Sequence, residues 1–196
     1  MPQTKNGRGR RPLPLTASRA ALLIDGSDTE FRELVHDMLA FAAAIQEVRN
    51  RLGGLIGLSG TQYTILMSIA RLTGKVPELG VATLAEHLHL SGAFVTIEVN
   101  KLVAAGLVSK AVNPGDRRRV LLAVTPEAEQ RLAELTRVQA PANDTLFGPL
   151  SASEFRAMRT IISKLAGTGE RTLKLIDYLA PDGKIETARE QVSPLV

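Results

Sequence analysis

Residues 81–124, VATLAEHLHLSGAFVTIEVNKLVAAGLVSKAVNPGDRRRVLLAV, run as helix, tight turn, helix, strand, basic loop and strand. The first helix covers residues 83–88. The turn His89-Leu90-Ser91 ends in a hydroxyl that can accept from an orphan N–H at the start of the next helix, expected over residues 92–105. At about 100° per residue, Val95, Val99 and Leu102 fall within about 60° of one another and predict a buried stripe. The opposite face carries Ala93, Ile97, Asn100 and Ala104, flanked by Phe94, Thr96 and Lys101. Gly106 stands where a helix needs a left-handed C-terminal residue, and residues 107–112 and 120–124 have the composition of strands. Between them the chain turns at Asn113-Pro-Gly-Asp116 and crosses Arg117, Arg118 and Arg119. Three guanidinium groups on a protruding hairpin beside a two-helix turn suit the phosphate backbone and narrow minor groove of DNA.

Several short motifs from this region occur together in a fixed order. Leu84-Ala-Glu-His-Leu-His-Leu-Ser91, Val95-Thr96, Lys101-Leu102, Gly106-Leu-Val108 and Asn113-Pro-Gly-Asp-Arg-Arg-Arg119 run into Leu122-Ala-Val-Thr-Pro-Glu127. Together they resemble the winged helix-turn-helix of the MarR (multiple antibiotic resistance regulator) family, with a likeness over roughly residues 31–165. The resemblance implies a homodimeric transcriptional regulator that binds double-stranded DNA, acts as a repressor and is released by a small-molecule effector. By resemblance Arg118 enters the minor groove while Arg117 and Arg119 meet phosphates, and Asp116, two residues from Arg118, is near enough to orient its guanidinium.

On the second helix, N–H groups near Ser91 and Gly92 would hold phosphates together with Lys101, leaving Ala93, Phe94, Thr96, Ile97 and Asn100 toward the major groove. The family often carries Arg where this chain has Ile97, and that Arg can pair with guanine. Ile97, Ala93 and Phe94 would instead meet thymine methyls, with Asn100 or Thr96 hydrogen bonding, so an A·T-leaning half-site is expected. Phe94 has a second reading, packed inward against the base of the hairpin. By analogy the effector pocket is lined by His36, Tyr63, Met67 and Arg71, of which His36 and Met67 also read as plain packing; an aromatic acid is the generic expectation for the family.

Composition narrows the alternatives. The chain has 196 residues, no Cys and no Trp, which excludes disulfides and the thiol switch of peroxide-sensing members of the resembling family. No apolar run approaches the roughly 18 residues that span a bilayer, so a cytoplasmic protein without a membrane partner is expected. Net charge is +4, yet Lys5, Arg8, Arg10, Arg11 and Arg19 all precede the first acid, Asp25, and the remainder sums to −1. Residues 99–119 hold Lys101, Lys110 and the three arginines against Asp116 alone, a local basic patch on a near-neutral body. No P-loop, dinucleotide fingerprint, H-E-x-x-H or G-x-S-x-G motif occurs, so neither an enzyme nor a cofactor is expected. His87 and His89 form an H-x-H pair whose rings point apart, with no third ligand nearby, and a metal-responsive regulator is disfavoured. An architectural DNA binder without effector remains the alternative.

Outside the central region the expected order is as follows. Residues 1–26 read as a basic, flexible arm, although an acid-free start containing Arg also suits a transit peptide; residues 17–24 could form a short helix. Ser27-Asp-Thr-Glu30 reads as a capping box opening a helix to about Leu52, with Phe31, Leu34, Met38, Phe41, Ile45, Val48 and Leu52 in one apolar seam and Gly53-Gly54 as its stop. Residues 27–58 are thus a dimerisation helix. Residues 59–124 are the winged helix-turn-helix domain, opened by a second capping box, Ser59 to Gln62, with Tyr63, Leu66, Met67 and Ala70 inward.

Residues 125–180 are helices completing the dimerisation region. Thr125 caps the first with Pro126 at its opening position, Pro141 is expected to kink or break it near Gln139, and Ser151 to Glu154 caps a helix through Leu165. Gly167-Thr-Gly169 precedes a last helix over 170–180, and residues 181–196 read as a frayed tail. The fold class is therefore mainly α with a small β-hairpin wing. Seams on the first and last helices exceed what one compact domain can cover, which points to a two-fold dimer. Such a dimer sets its two recognition helices about 34 Å apart on a pseudo-palindromic site with half-sites about 10 base pairs between centres.

Overall fold

The computed structural model describes residues 13–76, 78–112, 115 and 120–181. The order of elements is α1 (Thr29–Leu55), α2 (Gly60–Leu72), α3 (Val81–Leu88), α4 (Gly92–Ala104), β1 (Val108–Val112), β2 (Val120–Val124), α5 (Pro126–Phe147), α6 (Ala152–Ala166) and α7 (Gly169–Leu179). The strands form an antiparallel hairpin in which Val108 faces Val124 and Val112 faces Val120. A mainly α fold with a hairpin wing is what the residue pattern predicts. The chain forms two compact units that divide between Ala140 and Pro141.

The first unit holds the core. Leu52, Tyr63, Ile65, Leu66, Ile69, Leu84, Val95, Val99, Leu102, Leu107, Val108, Leu122, Ala128 and Leu135 are all buried in one cluster. The expected stripe of α4 is in place, with Val95, Val99 and Leu102 fully buried. On α2, Tyr63 and Leu66 are inward as expected while Met67 and Ala70 are only half-buried; Ile65, Ile69 and Leu72 complete the inner face.

Three helix ends share one device. After α1, Leu58 N–H donates to the Gly53 carbonyl at 2.9 Å and Gly57 N–H to that of Gly54 at 3.2 Å, with Gly57 at φ +75°. After α4, Leu107 N–H reaches Leu102 O and Gly106 N–H reaches Val103 O, both at 2.9 Å, with Gly106 at φ +73°. After α3 the left-handed residue is His89, at φ 54°, and Leu90 N–H donates to Ala85 O at 3.0 Å. These hydrogen bonds satisfy carbonyls that a helix end would otherwise leave open, and the reversal buries the following Leu58 and Leu107, whereas Leu90 stays 38% exposed.

Four local expectations are corrected. Gly53-Gly54 does not stop α1, which continues through both to Leu55 and ends at Gly57. Gly53 is instead a close-approach site, because a Cβ there would lie 3.0 Å from Leu58 O, 3.0 Å from Tyr63 Cβ and 3.1 Å from Ser59 O. The capping box at Ser27 to Glu30 does not form. Asp28 is the N-cap residue, and its carboxylate accepts from Thr16 N–H at 2.6 Å, from Thr16 Oγ1 at 2.7 Å and from Arg32 at 3.0 Å. Arg32 also donates to Pro14 O, so residues 14–16 are tied to the first turn of α1. Between them Asp25 and Gly26 take positive φ, and Ile24 and Ser27 exchange two hydrogen bonds of 2.9 Å, the mirror-turn geometry that Asp-Gly favours. Of the short helix at 17–24 only a 3-10 turn, Ala20–Leu22, forms. Finally, of the kink or break expected at Pro141, the break does not occur, since α5 runs on to Phe147 with Pro141 inside it.

Other caps form as read. Ser59 and Gln62 bond reciprocally at 3.0 and 3.2 Å, and Ser151 and Glu154 at 2.8 and 3.3 Å. Thr125 has two tasks: its hydroxyl donates to Gly106 O at 2.7 Å, closing the hairpin onto the end of α4, and accepts from Ala128 N–H at 3.2 Å to cap α5. In the second unit α6 and α7 bury none of their residues. Phe155, Ile161, Ile162 and Leu165 on α6 and Leu173, Ile176 and Leu179 on α7 are exposed.

Candidate nucleic-acid interface

The tight turn from α3 to α4 sets the angle of α4 through the left-handed His89 and the Ser91 cap. Phe94 N–H donates to Ser91 Oγ at 3.3 Å, and Leu84 and Ala85 of α3 are buried in the core with Val95 and Val99. The base of the hairpin is fixed from the other side. Leu122 N–H donates 2.8 Å to Leu79 O, and Gly80 sits so close to β2 that a Cβ would lie 3.2 Å from Val120 O. The hairpin is therefore hydrogen-bonded to the segment that starts α3.

With its stripe buried, α4 turns the opposite face outward. Ser91, Gly92, Ala93, Phe94, Thr96, Ile97, Asn100 and Lys101 are all exposed. Phe94 is 40% and Ile97 54% exposed, so part of each side chain is open to solvent on this face. The polar members are less free than the sequence suggests. Thr96 donates its hydroxyl proton to Gly92 O at 2.7 Å and keeps only acceptor capacity. Lys101 Nζ lies 2.7 Å from Glu98 Oε1, and Asn100 Oδ1 accepts from Lys110 Nζ of β1. Asp116, Arg117, Arg118 and Arg119 lie outside the described residues.

Glu98 is the group the sequence reading missed. It is only 7% exposed, and its second oxygen accepts from Gln62 Nε2 at 3.1 Å. Since Gln62 also closes the capping box of α2, a continuous chain runs from Ser59 through Gln62 and Glu98 to Lys101. The Lys101 hydrogen bond, aided by that of Gln62, holds the Glu98 carboxyl below its ordinary value. A signal was available, because Glu98 stands about 40° from Leu102 on the helix wheel, at the edge of the apolar stripe, three residues before a Lys.

The residues named for an effector are dispersed. Tyr63, Met67 and Arg71 follow at four-residue intervals along α2, whereas His36 is exposed on α1, and no hydrogen bond or ring contact among the described residues joins it to them. Tyr63 is buried, with the Arg49 guanidinium 5.2 Å from its ring centre; Arg49 Nε also donates to Thr64 Oγ1 at 2.7 Å. Burial raises the Tyr63 phenol above its ordinary value, and burial lowers Arg49. Arg71 is exposed and bonded to His87, whose imidazole is lowered first by burial and then by the charges of Arg71 and His89. A hollow of about 360 Å³ in the second unit is lined by Asn143, Asp144, Phe147, Gly148 and Phe155 and includes none of the four.

Residues 56–119 match the model of the MarR family. Among solved structures, a MarR mutant from E. coli complexed with operator DNA is 20% identical over 69% of this chain and 95% of its own, with a TM-score of 0.58. The transcriptional regulator BldR from Sulfolobus solfataricus is 26% identical over 70% of this chain and 96% of its own, at 0.56. A MarR protein from Peptoclostridium difficile is 19% identical over 82% of this chain and 99% of its own, at 0.59. No curated protein matches the chain by sequence. The turn between α3 and α4, the hairpin tied to both and the family-model match over that same region make residues 56–119 similar to the MarR family and give the chain a winged helix-turn-helix fold.

Proposed function

We propose that the protein is a sequence-specific, DNA-binding transcriptional regulator that works in the cytoplasm as a homodimeric repressor on a pseudo-palindromic operator. One observation carries this reading. The outward face of α4, with Phe94 and Ile97 exposed at its capped start and Lys101 and Lys110 beside it, is an apolar strip rimmed by cations. A solvated helix face has no use for that composition, whereas base edges and thymine methyls flanked by phosphates match it. The fold it shares with a regulator crystallised on operator DNA supports the same reading. The exposed apolar residues of α1, α6 and α7 support the homodimer. At the hairpin tip, Arg118 is assigned to the minor groove, Arg117 and Arg119 to phosphates, and Asp116 to orienting Arg118.

Selection of bound fragments from randomised duplex DNA by the full-length protein, followed by sequencing, tests the proposal. A two-fold symmetric motif with half-sites about one helical turn apart is expected. On that motif Arg118→Ala should cost about 1–3 kcal/mol in binding. Recovery of no motif with strong nonspecific binding would instead describe an architectural binder, and no binding at low salt would end the proposal. Release by a small ligand such as an aromatic acid, through His36, Tyr63, Met67 and Arg71, is tested by repeating the selection with such compounds present.

A further inference from the structure

We propose that Lys110 of β1 and Asn100 of α4 together form a guanine-reading pair at the junction of recognition helix and hairpin. This deepens the function proposed above and rests on it. The strand alternates. Val108 is buried against the core, so Lys110, two residues on, leaves β1 on the same side, toward α4, while its own head remains exposed. There its Nζ donates to Asn100 Oδ1. A lysine ammonium can only donate, so the amide must give it the oxygen and turn Nδ2 outward.

That arrangement changes what Asn100 can read. Recognition of adenine by Asn needs the amide oxygen to accept from N6 while the NH₂ donates to N7. With one lone pair of the oxygen taken by Lys110, and the ammonium beside it opposing the approach of the adenine N6 donor, the pair presents chiefly donors: the two N–H groups of Asn100 Nδ2 and the remaining ammonium protons of Lys110. In the major groove the base edge with two adjacent acceptors and no donor is guanine, through O6 and N7. Asn100 shares its face with Ile97 and Ala93, one and two turns earlier, so the guanine falls beside the A·T-preferring contacts of those residues. The half-site is therefore mixed, with an A·T-rich part under the start of α4 and one G·C pair under the wing junction.

The selection is repeated with Lys110→Met, which keeps the aliphatic stem, and Lys110→Arg, which keeps a guanine donor pair. Position 110 is exposed, and far-ultraviolet circular dichroism confirms that each variant folds. The wild type and Lys110→Arg should enrich guanine at one symmetry-related position per half-site. In Lys110→Met that preference should fall by roughly tenfold to a hundredfold while the other positions keep theirs. Weaker binding of Lys110→Met to all sequences alike, with a salt slope shallower by about one per subunit, would mean a phosphate contact and overturn the inference. So would an unchanged motif in Lys110→Met. A wild type that enriches no DNA removes the proposed function itself, an outcome distinct from a motif that ignores position 110.

Discussion

Gly53 and Gly54 are adjacent, both helical, and should respond oppositely to alanine. At Gly54 a Cβ meets no atom within 4 Å, and the backbone is already that of α1. Replacing a helical glycine by alanine gains roughly 0.5–1 kcal/mol, the lower part of that range applying one residue from the end of a helix. Gly53→Ala has the same helical gain but drives a methyl to 3.0 Å from Leu58 O, 3.0 Å from Tyr63 Cβ and 3.1 Å from Ser59 O. Two of those atoms are backbone, and Tyr63 is only 1% exposed, so none can yield cheaply. Overpacking of this kind costs about 1–3 kcal/mol, which outweighs the gain and leaves a net loss of about 0.5–2 kcal/mol. Urea unfolding of the full chain at one fixed protein concentration measures both changes without confusing them with subunit dissociation. In thermal unfolding each kcal/mol should move the midpoint by about 2–4 °C for a chain of this length. If both substitutions raise the midpoint, or both lower it, the close approach of α1 to the start of α2 has been misread.

Further tests address the interface and its supports. Ser91→Ala removes the acceptor for Phe94 N–H and should cost about 1 kcal/mol of stability in the same urea assay. Glu98→Ala leaves Gln62 without its acceptor and Lys101 without its counter-charge, and a loss of about 1–3 kcal/mol is expected. Because the Glu98 carboxyl is held below its ordinary 4.5, its contribution is present above that pH and is lost as pH falls further; Glu98→Gln should flatten the acid limb of a stability profile. The Asp28 carboxyl is also held low, first by Arg32 and then by Thr16, and its contribution likewise disappears in acid. In Asp28→Asn, cleavage by a protease between residues 16 and 28 should be fast at neutral pH, as it is in wild type only in acid.

The winged helix was legible because its signals are local. An N-cap serine, a left-handed glycine and a stripe at helical spacing each act through neighbours a few residues away, so Ser91, Gly106 and Val95 to Leu102 could be placed from composition and order. The hydroxyl boxes at Ser59 and Ser151 are of the same kind. Where a local signal failed, a partner distant in sequence had taken the group. Thr16 and Arg32 captured Asp28, so no box formed at Ser27, and the approach of Tyr63 and the Leu58–Ser59 backbone made Gly53 a contact rather than a stop. Glu98 was passed over for the same reason, its partner Gln62 lying 36 residues away on another helix. The chemistry of the α4 face followed this division. The identity of its outward residues was plain from periodicity, whereas which of their donors and acceptors are still free depended on Glu98 and Lys110, reached only when α2 and β1 pack against α4.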